Sequence, residues 1–162
     1  MSEINKDQTK QTKEHIDQVR NIIQQVIEQL ELRKLNHDKS KLESPEKEIF
    51  DIYTPLLKNT TYGSPEYKQY LKEMKPALDH HYKNNRHHPE HFQHDYINEP
   101  YWKPISEMNL VDIIEMLCDW KAATMRHEDG DINKSLEINQ KRFNYSDDIK
   151  KIFQNTVDQV LI

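Results

Sequence analysis

The chain has 162 residues, enough for one domain that buries a core without disulfides, and 35% of them are hydrophobic against 31% charged. A formal charge of -5 with no long basic block argues against duplex nucleic acid, and only 2 glycines leave little for a phosphate-cradling or dinucleotide-binding turn. The single cysteine, Cys118, excludes an internal disulfide and suits a reducing cytosol.

Met1-Ser2-Glu3-Ile4-Asn5 lacks the apolar core of a signal peptide and no apolar run reaches membrane-spanning length, so a cytoplasmic protein without membrane contact is expected. Residues 1–9 read as a flexible terminus and 10–162 as one domain. From Lys10 to Leu35 the spacing of His15, Val19, Ile22, Ile23, Val26, Ile27 and Leu30 predicts a helix with one buried face that includes His15. Ser44-Pro45-Glu46 reads as a helix start with a hydroxyl cap, followed by Ile49, Phe50, Ile52, Tyr53, Leu56 and Leu57 to about Asn59. Ser64-Pro65 opens the next helix in the same way, and Pro76 is expected to kink or split it before His80 and His81. Residues 98–104 read as a loop. Ser106 then looks like the cap of the most apolar helix, in whose run Cys118 is expected to be a buried thiol. Helices over about 132–143 and 147–161 complete an all-α fold of six to seven helices, with no repeat, linker or strand.

Five of the nine histidines fall between Asp79 and His91, as His80, His81, His87, His88 and His91. Imidazole is the commonest protein metal ligand, although a short histidine-rich tract is by itself compositional. Three other places offer ligand-type side chains: His15, the pair His37-Asp38, and the helix stripe carrying Asp112, Glu115 and Asp119 at i, i+3 and i+7. Like charges so spaced repel, which favours either solvent exposure or a nearby cation. His91, His94 and His127 read as surface groups or supports of ligands, and Asp112 as helix surface or a substitute ligand.

In chain order the candidates run His15, His37-Asp38, His81, His87-His88 and Asp119. This order resembles the HD-domain metal-dependent phosphohydrolase superfamily. His37-Asp38-Lys39-Ser40-Lys41 resembles its His-Asp-x-Gly-Lys segment, with Ser40 in place of glycine, and His87-His88 resembles the tandem histidine of members holding two or three metals. The chain is similar, over about residues 12–160, to a group of small HD-like proteins of phages and bacteria. That similarity also rests on Ser44-Pro45-Glu46, on His80-His81 with Asn85, and on residues 115–123; Arg86 stands where proline is usual.

The resemblance implies an HD-like helical bundle with two divalent transition metals per chain (Mn, Fe, Co, Ni or Zn), which suit mixed imidazole and carboxylate shells. It implies that His15, His37, Asp38 and Asp119 hold the first metal, and that Asp38, His81 and His88, with or without His87, hold the second. Two cations about 3.5–4 Å apart can clamp a phosphoryl group and activate water between them. Asp38, Lys41 and Glu115 are then the catalytic candidates. Lys41, Lys83, Asn85 and Arg86 are candidates for binding the substrate. Tyr82, Tyr96, Tyr101 and Trp102 serve either to stack on a base or to pack as core or lid.

The expected activity is hydrolysis of a small phosphorylated ligand, a nucleotide or cyclic nucleotide, for nucleotide-pool editing or destruction of an immune signal in the host cytoplasm if the protein is phage-encoded. Superfamily members with extra histidines include cyclic-dinucleotide phosphodiesterases, which tilts the expectation towards a phosphodiester. Two alternatives stay open: a protein that sequesters a nucleotide or partner, and an HD-fold di-iron oxygenase. Assembly into a homo-oligomer is compatible with each of these.

Overall fold

A computed structural model describes residues 2–61, 64–93, 102–126 and 130–161. Among them the chain is all-α, with seven α-helices, three short 3₁₀ turns and no strand. It divides into two compact units, Met1–Asn36 and His37–Ile162.

The first unit is one continuous helix, α1 (Ser2–Asn36), about 52 Å long at 1.5 Å per residue. Val19, Ile22, Ile23, Val26 and Ile27, expected to be buried, are exposed, and so is Ile16. The periodicity is helical as predicted, but a unit made of one helix has nothing within itself to cover an apolar stripe.

The second unit holds α2 (Glu46–Lys58), α3 (Pro65–Glu73), α4 (Lys75–Asn84), α5 (Leu110–Thr124), α6 (Ile132–Phe143) and α7 (Asp147–Gln159). Its core lies between α5, α6 and α7, where Met116, Leu117, Leu136, Phe143, Phe153 and Val157 are buried together. Trp120 stacks on Phe143 with ring centroids 6.1 Å apart, and Trp102 meets the same ring edge-on. The Tyr145 hydroxyl donates to the Leu136 carbonyl at 2.6 Å, which ties the α6–α7 corner to the helix before it. α2 and α4 pack on each other and on the 3₁₀ turn Lys39–Leu42, forming the part that carries the histidines.

Local chemistry accounts for most helix ends. Ser64 accepts from the Tyr67 amide with Pro65 at the first helical position, as the spacing predicts. Pro76 stands at the start of α4, so the expected kink is a break between α3 and α4. Ser146 caps α7, and Asp131 caps α6 by accepting from Asn133 and Lys134.

Two predicted starts shift. α2 begins at Glu46 with no side-chain cap from Ser44, because the Glu43 carbonyl takes the Glu46 and Lys47 amides. α5 begins after Asn109, not Ser106. Asn109 accepts from the Asp112 amide while the Asp112 carboxylate accepts from the Asn109 amide, a complete capping box. The Ser106 hydroxyl instead donates to the Lys103 carbonyl inside a 3₁₀ turn.

Candidate metal centre

Asp38 is the centre of the polar cluster. It sits where the chain leaves α1, with φ 55° in the left-handed region that costs most residues energy and that aspartate tolerates better than most. Its two oxygens face different groups. Oδ1 lies 3.3 Å from His81 Nε2 and 3.5 Å from His87 Nε2, whereas Oδ2 accepts from Lys41 Nζ at 2.6 Å and lies 3.7 Å from His37 Nε2. His37 Nε2 is in turn 3.9 Å from Asp119 Oδ1.

Two sets of ligand-type atoms therefore share Asp38. One is Asp38, His81, His87 and His88; the other is His37, Asp38 and Asp119. Within each set the ligand-type atoms lie within 4.8 Å of one another.

The outer nitrogens of His37, His81 and His87 are held by carboxylates. Glu46, fully buried at the start of α2, accepts from His81 Nδ1 at 2.8 Å and from His80 Nδ1 at 2.7 Å. Glu115 on α5 takes His37 Nδ1 at 2.9 Å and has His87 Nδ1 at 3.2 Å, both on Oε1. A carboxylate only accepts, so the Nδ1 atom facing it carries a proton, and whenever such a ring is neutral its Nε2 lone pair is left on the Asp38 side. Histidines that bind metal are oriented in this way.

The cluster fits a cation by a second observation. Asp38 Oδ1 and His87 Nε2 are buried without a hydrogen bond, 3.5 Å apart. Orphaned buried polar atoms are costly, and two that face one another across a gap match the donors of a metal shell. Imidazole with carboxylate is the donor set of Mn, Fe, Co, Ni and Zn.

Charge in the site follows from the same contacts. Burial pushes the Asp38 carboxyl up, but the His81 ring and the Lys41 ammonium beside it outweigh burial and hold it well below the usual carboxylate range. Burial, with His87 and His81 alongside, pushes His88 down to about 2, so its ring is neutral. The hydrogen bond to Glu115 raises His37 above its ordinary value against the opposing effect of burial.

The structure thus brings together His37, Asp38, Lys41, His81, His87, His88, Glu115 and Asp119 of the expected site. His81 is the buried member of the His80-His81 pair, while the His80 side chain is 41% exposed. His15 is exposed on α1, and the ligand sets of the second unit are made without it. Asn85 donates to Ser40 Oγ at 2.9 Å and to the His81 carbonyl at 2.8 Å, so it braces α4 against the turn that follows Asp38. Lys83 is exposed near the end of α4.

Arg86 directs its guanidinium at Asp112, through Nε at 3.2 Å and Nη2 at 2.9 Å. That fork is engaged in a structural pair, and Asp112, expected at the helix surface or as a substitute ligand, is fully buried. Each carboxylate of the α5 stripe therefore meets a nitrogen base: Asp112 a guanidinium, Glu115 two imidazoles and Asp119 one.

Cys118 is exposed rather than buried, because the apolar side of α5 turns on Met116 and Leu117. Partial burial, then Glu115 and Asp119, push its thiol up, away from a nucleophilic thiolate. His91 Nδ1 donates to the Tyr82 carbonyl at 3.0 Å, and the Tyr82 ring lies 5.0 Å from that of His88. Trp102 packs at the edge of the core, while His94, Tyr96, Tyr101 and His127 lie outside the described residues.

Sequence reasoning missed Glu46. An acid in the first turn of a helix has a general explanation in the helix dipole, which hid its role as holder of two histidines. Its place eight residues after Asp38, in a block already picked out by resemblance, was the available signal.

The fold and the cluster define a class: an all-α protein with a histidine and carboxylate centre of metal-ligand type. The chain belongs to the family of unknown function DUF5662, whose sequence profile matches residues 4–161. No curated protein and no solved structure matches the chain.

Proposed function

We propose that this chain is a metal-dependent phosphohydrolase of the HD type that acts on a nucleotide or cyclic nucleotide. The observation that carries the reading is the division of labour at Asp38, with one oxygen towards His81 and His87 and the other towards His37, and with Glu46 and Glu115 holding the far side of those rings.

On this reading Asp38, His81, His87 and His88 hold one divalent cation, and His37, Asp38 and Asp119 hold a second. Cations bound there polarise a phosphoryl oxygen and make water a nucleophile at neutral pH. The protein's own part is to orient and to balance charge. Asp38 stays ionised, so it serves both groups at once. His88 stays neutral and offers a lone pair at every ordinary pH. Lys41 brings a half-buried ammonium to the same carboxylate, a position from which it can neutralise a phosphate oxygen.

A second reading, an HD-fold di-iron oxygenase, is supported by the same donor set, since three imidazoles with a carboxylate hold iron well. A protein that sequesters a nucleotide is the third.

One experiment separates them. Metal-free protein is reloaded with Mn or with Fe and incubated with nucleoside monophosphates, triphosphates and cyclic nucleotides. Phosphate release or ring opening with Mn, reduced to background in Asp38→Asn, is the expected result. Oxygen uptake with Fe and no hydrolysis favours the oxygenase, and stoichiometric nucleotide binding without product favours sequestration; either result overturns the hydrolase.

A further inference from the structure

Glu46 and Glu115 each hold two imidazoles, but they divide their oxygens differently. Glu46 gives Oε1 to His80 and Oε2 to His81. Of these rings only His81 belongs to a ligand set, the histidine-rich one. Glu115 uses the single atom Oε1 for two rings, His37 of the acidic set and His87 of the histidine-rich one, and with these two rings it also makes a third group of ligand-type atoms that lacks Asp38. Those two rings lie 4.6 Å apart, centroid to centroid, with 44° between their planes.

We infer that Glu115 is a positioning residue for both cation sets at once, whereas Glu46 positions the histidine-rich set alone. The inference rests on the metal-binding reading above.

The chemistry is that of a hydrogen-bond acceptor acting at a distance. With its side chain 9% exposed, Glu115 has little water to compete for Oε1. By accepting from Nδ1 of each ring it fixes which nitrogen carries the proton, which way the ring faces, and how basic Nε2 is. Take away that acceptor and both rings lose their tautomer and orientation together. His37 then no longer presents Nε2 to Asp38 and Asp119, and His87 no longer presents Nε2 to Asp38 Oδ1. The α5 stripe reaches the histidine-rich set through Glu115, and the acidic set through Glu115 and through Asp119 one turn further on.

The test is a titration of the metal-free, full-length protein with Co²⁺, followed by visible absorption, with folding checked by circular dichroism. Wild type is expected to take up two equivalents. Glu115→Gln should weaken both uptake steps about 10- to 100-fold and shift both absorption signatures, while Glu46→Gln should weaken one step and leave the other. If Glu115→Gln does not fold, Glu115→Asp, which keeps the charge and withdraws the oxygen, is expected to weaken both steps as well. Weakening of one step alone in the Glu115 variants overturns the inference. So does a third equivalent that vanishes in them while the other two stay unchanged, since Glu115 is then itself a ligand. Wild type that binds no Co²⁺ overturns the metal-binding reading itself, a result distinct from the others.

Discussion

The two faces of α5 look into different kinds of interior. On one face Met116 and Leu117 enter an apolar core with Leu136, Phe143 and Phe153; on the other Asp112, Glu115 and Asp119 meet a guanidinium and two imidazoles. Burial of apolar area stabilises the first by about 25 cal/mol per Å². Burial of ionisable groups works against the second, and contacts among them offset that cost without exceeding it by much. The core face therefore holds the fold, and the polar face adds little net stability to it.

The comparison predicts that stability and metal uptake can be lost separately. Phe153→Ala removes a ring that is 2% exposed and should cost about 3–5 kcal/mol in urea unfolding, with metal per folded chain unchanged. Loss of metal with retained stability would break the division between the two faces. Arg86→Ala leaves the buried Asp112 carboxylate without its fork and should cost about 1–3 kcal/mol, again with metal uptake retained. A fall in substrate affinity with no change in stability would instead give Arg86 a role in binding.

The polar face should reveal itself through pH, in metal-free protein. His88 has a folded pKa of about 2, below its ordinary value, so the unfolded chain binds more protons as pH falls below about 6.5. Its contribution to stability is present at neutral pH and declines towards acid by up to about 1.4 kcal/mol per pH unit. His37 is raised, so its contribution has the opposite sign: present below about 6.5 and lost as pH rises through the folded value. Urea midpoints should then fall less towards acid, below about pH 6.5, in His88→Gln, and fall less as pH rises above about 6.5 in His37→Gln. Identical slopes in both variants would contradict the charge assignment. The smallest effect belongs to the core side: Tyr145→Phe removes the bond to the Leu136 carbonyl for about 1 kcal/mol, seen as a modest drop in Tm.

Much of the helical plan was legible, because it is carried by local rules. Ser64-Pro65 and Pro76 act within one turn, and the structure follows them. Asn109 was overlooked for Ser106 because both are good caps, and only the reciprocal bond with Asp112 decides between them. The apolar stripe of α1 was legible as a period, but a period does not say whether a partner covers it. In the site, the ligand residue types and their order pointed to His37, Asp38, His81 and His88, which the structure gathers. The holders of those rings were harder to see. Glu46 lies 35 residues from His81, Glu115 lies 78 residues from His37, and Arg86 meets Asp112 26 residues away, so the pairings appear only when the helices pack.

The most direct test is the metal content of untagged protein purified without chelator, by elemental analysis, for wild type and Asp38→Asn. Since the two ligand sets share Asp38, the account predicts about two divalent metals per wild-type chain and loss of both in the variant. Less than about a tenth of a metal per wild-type chain, or full occupancy in Asp38→Asn, would contradict it.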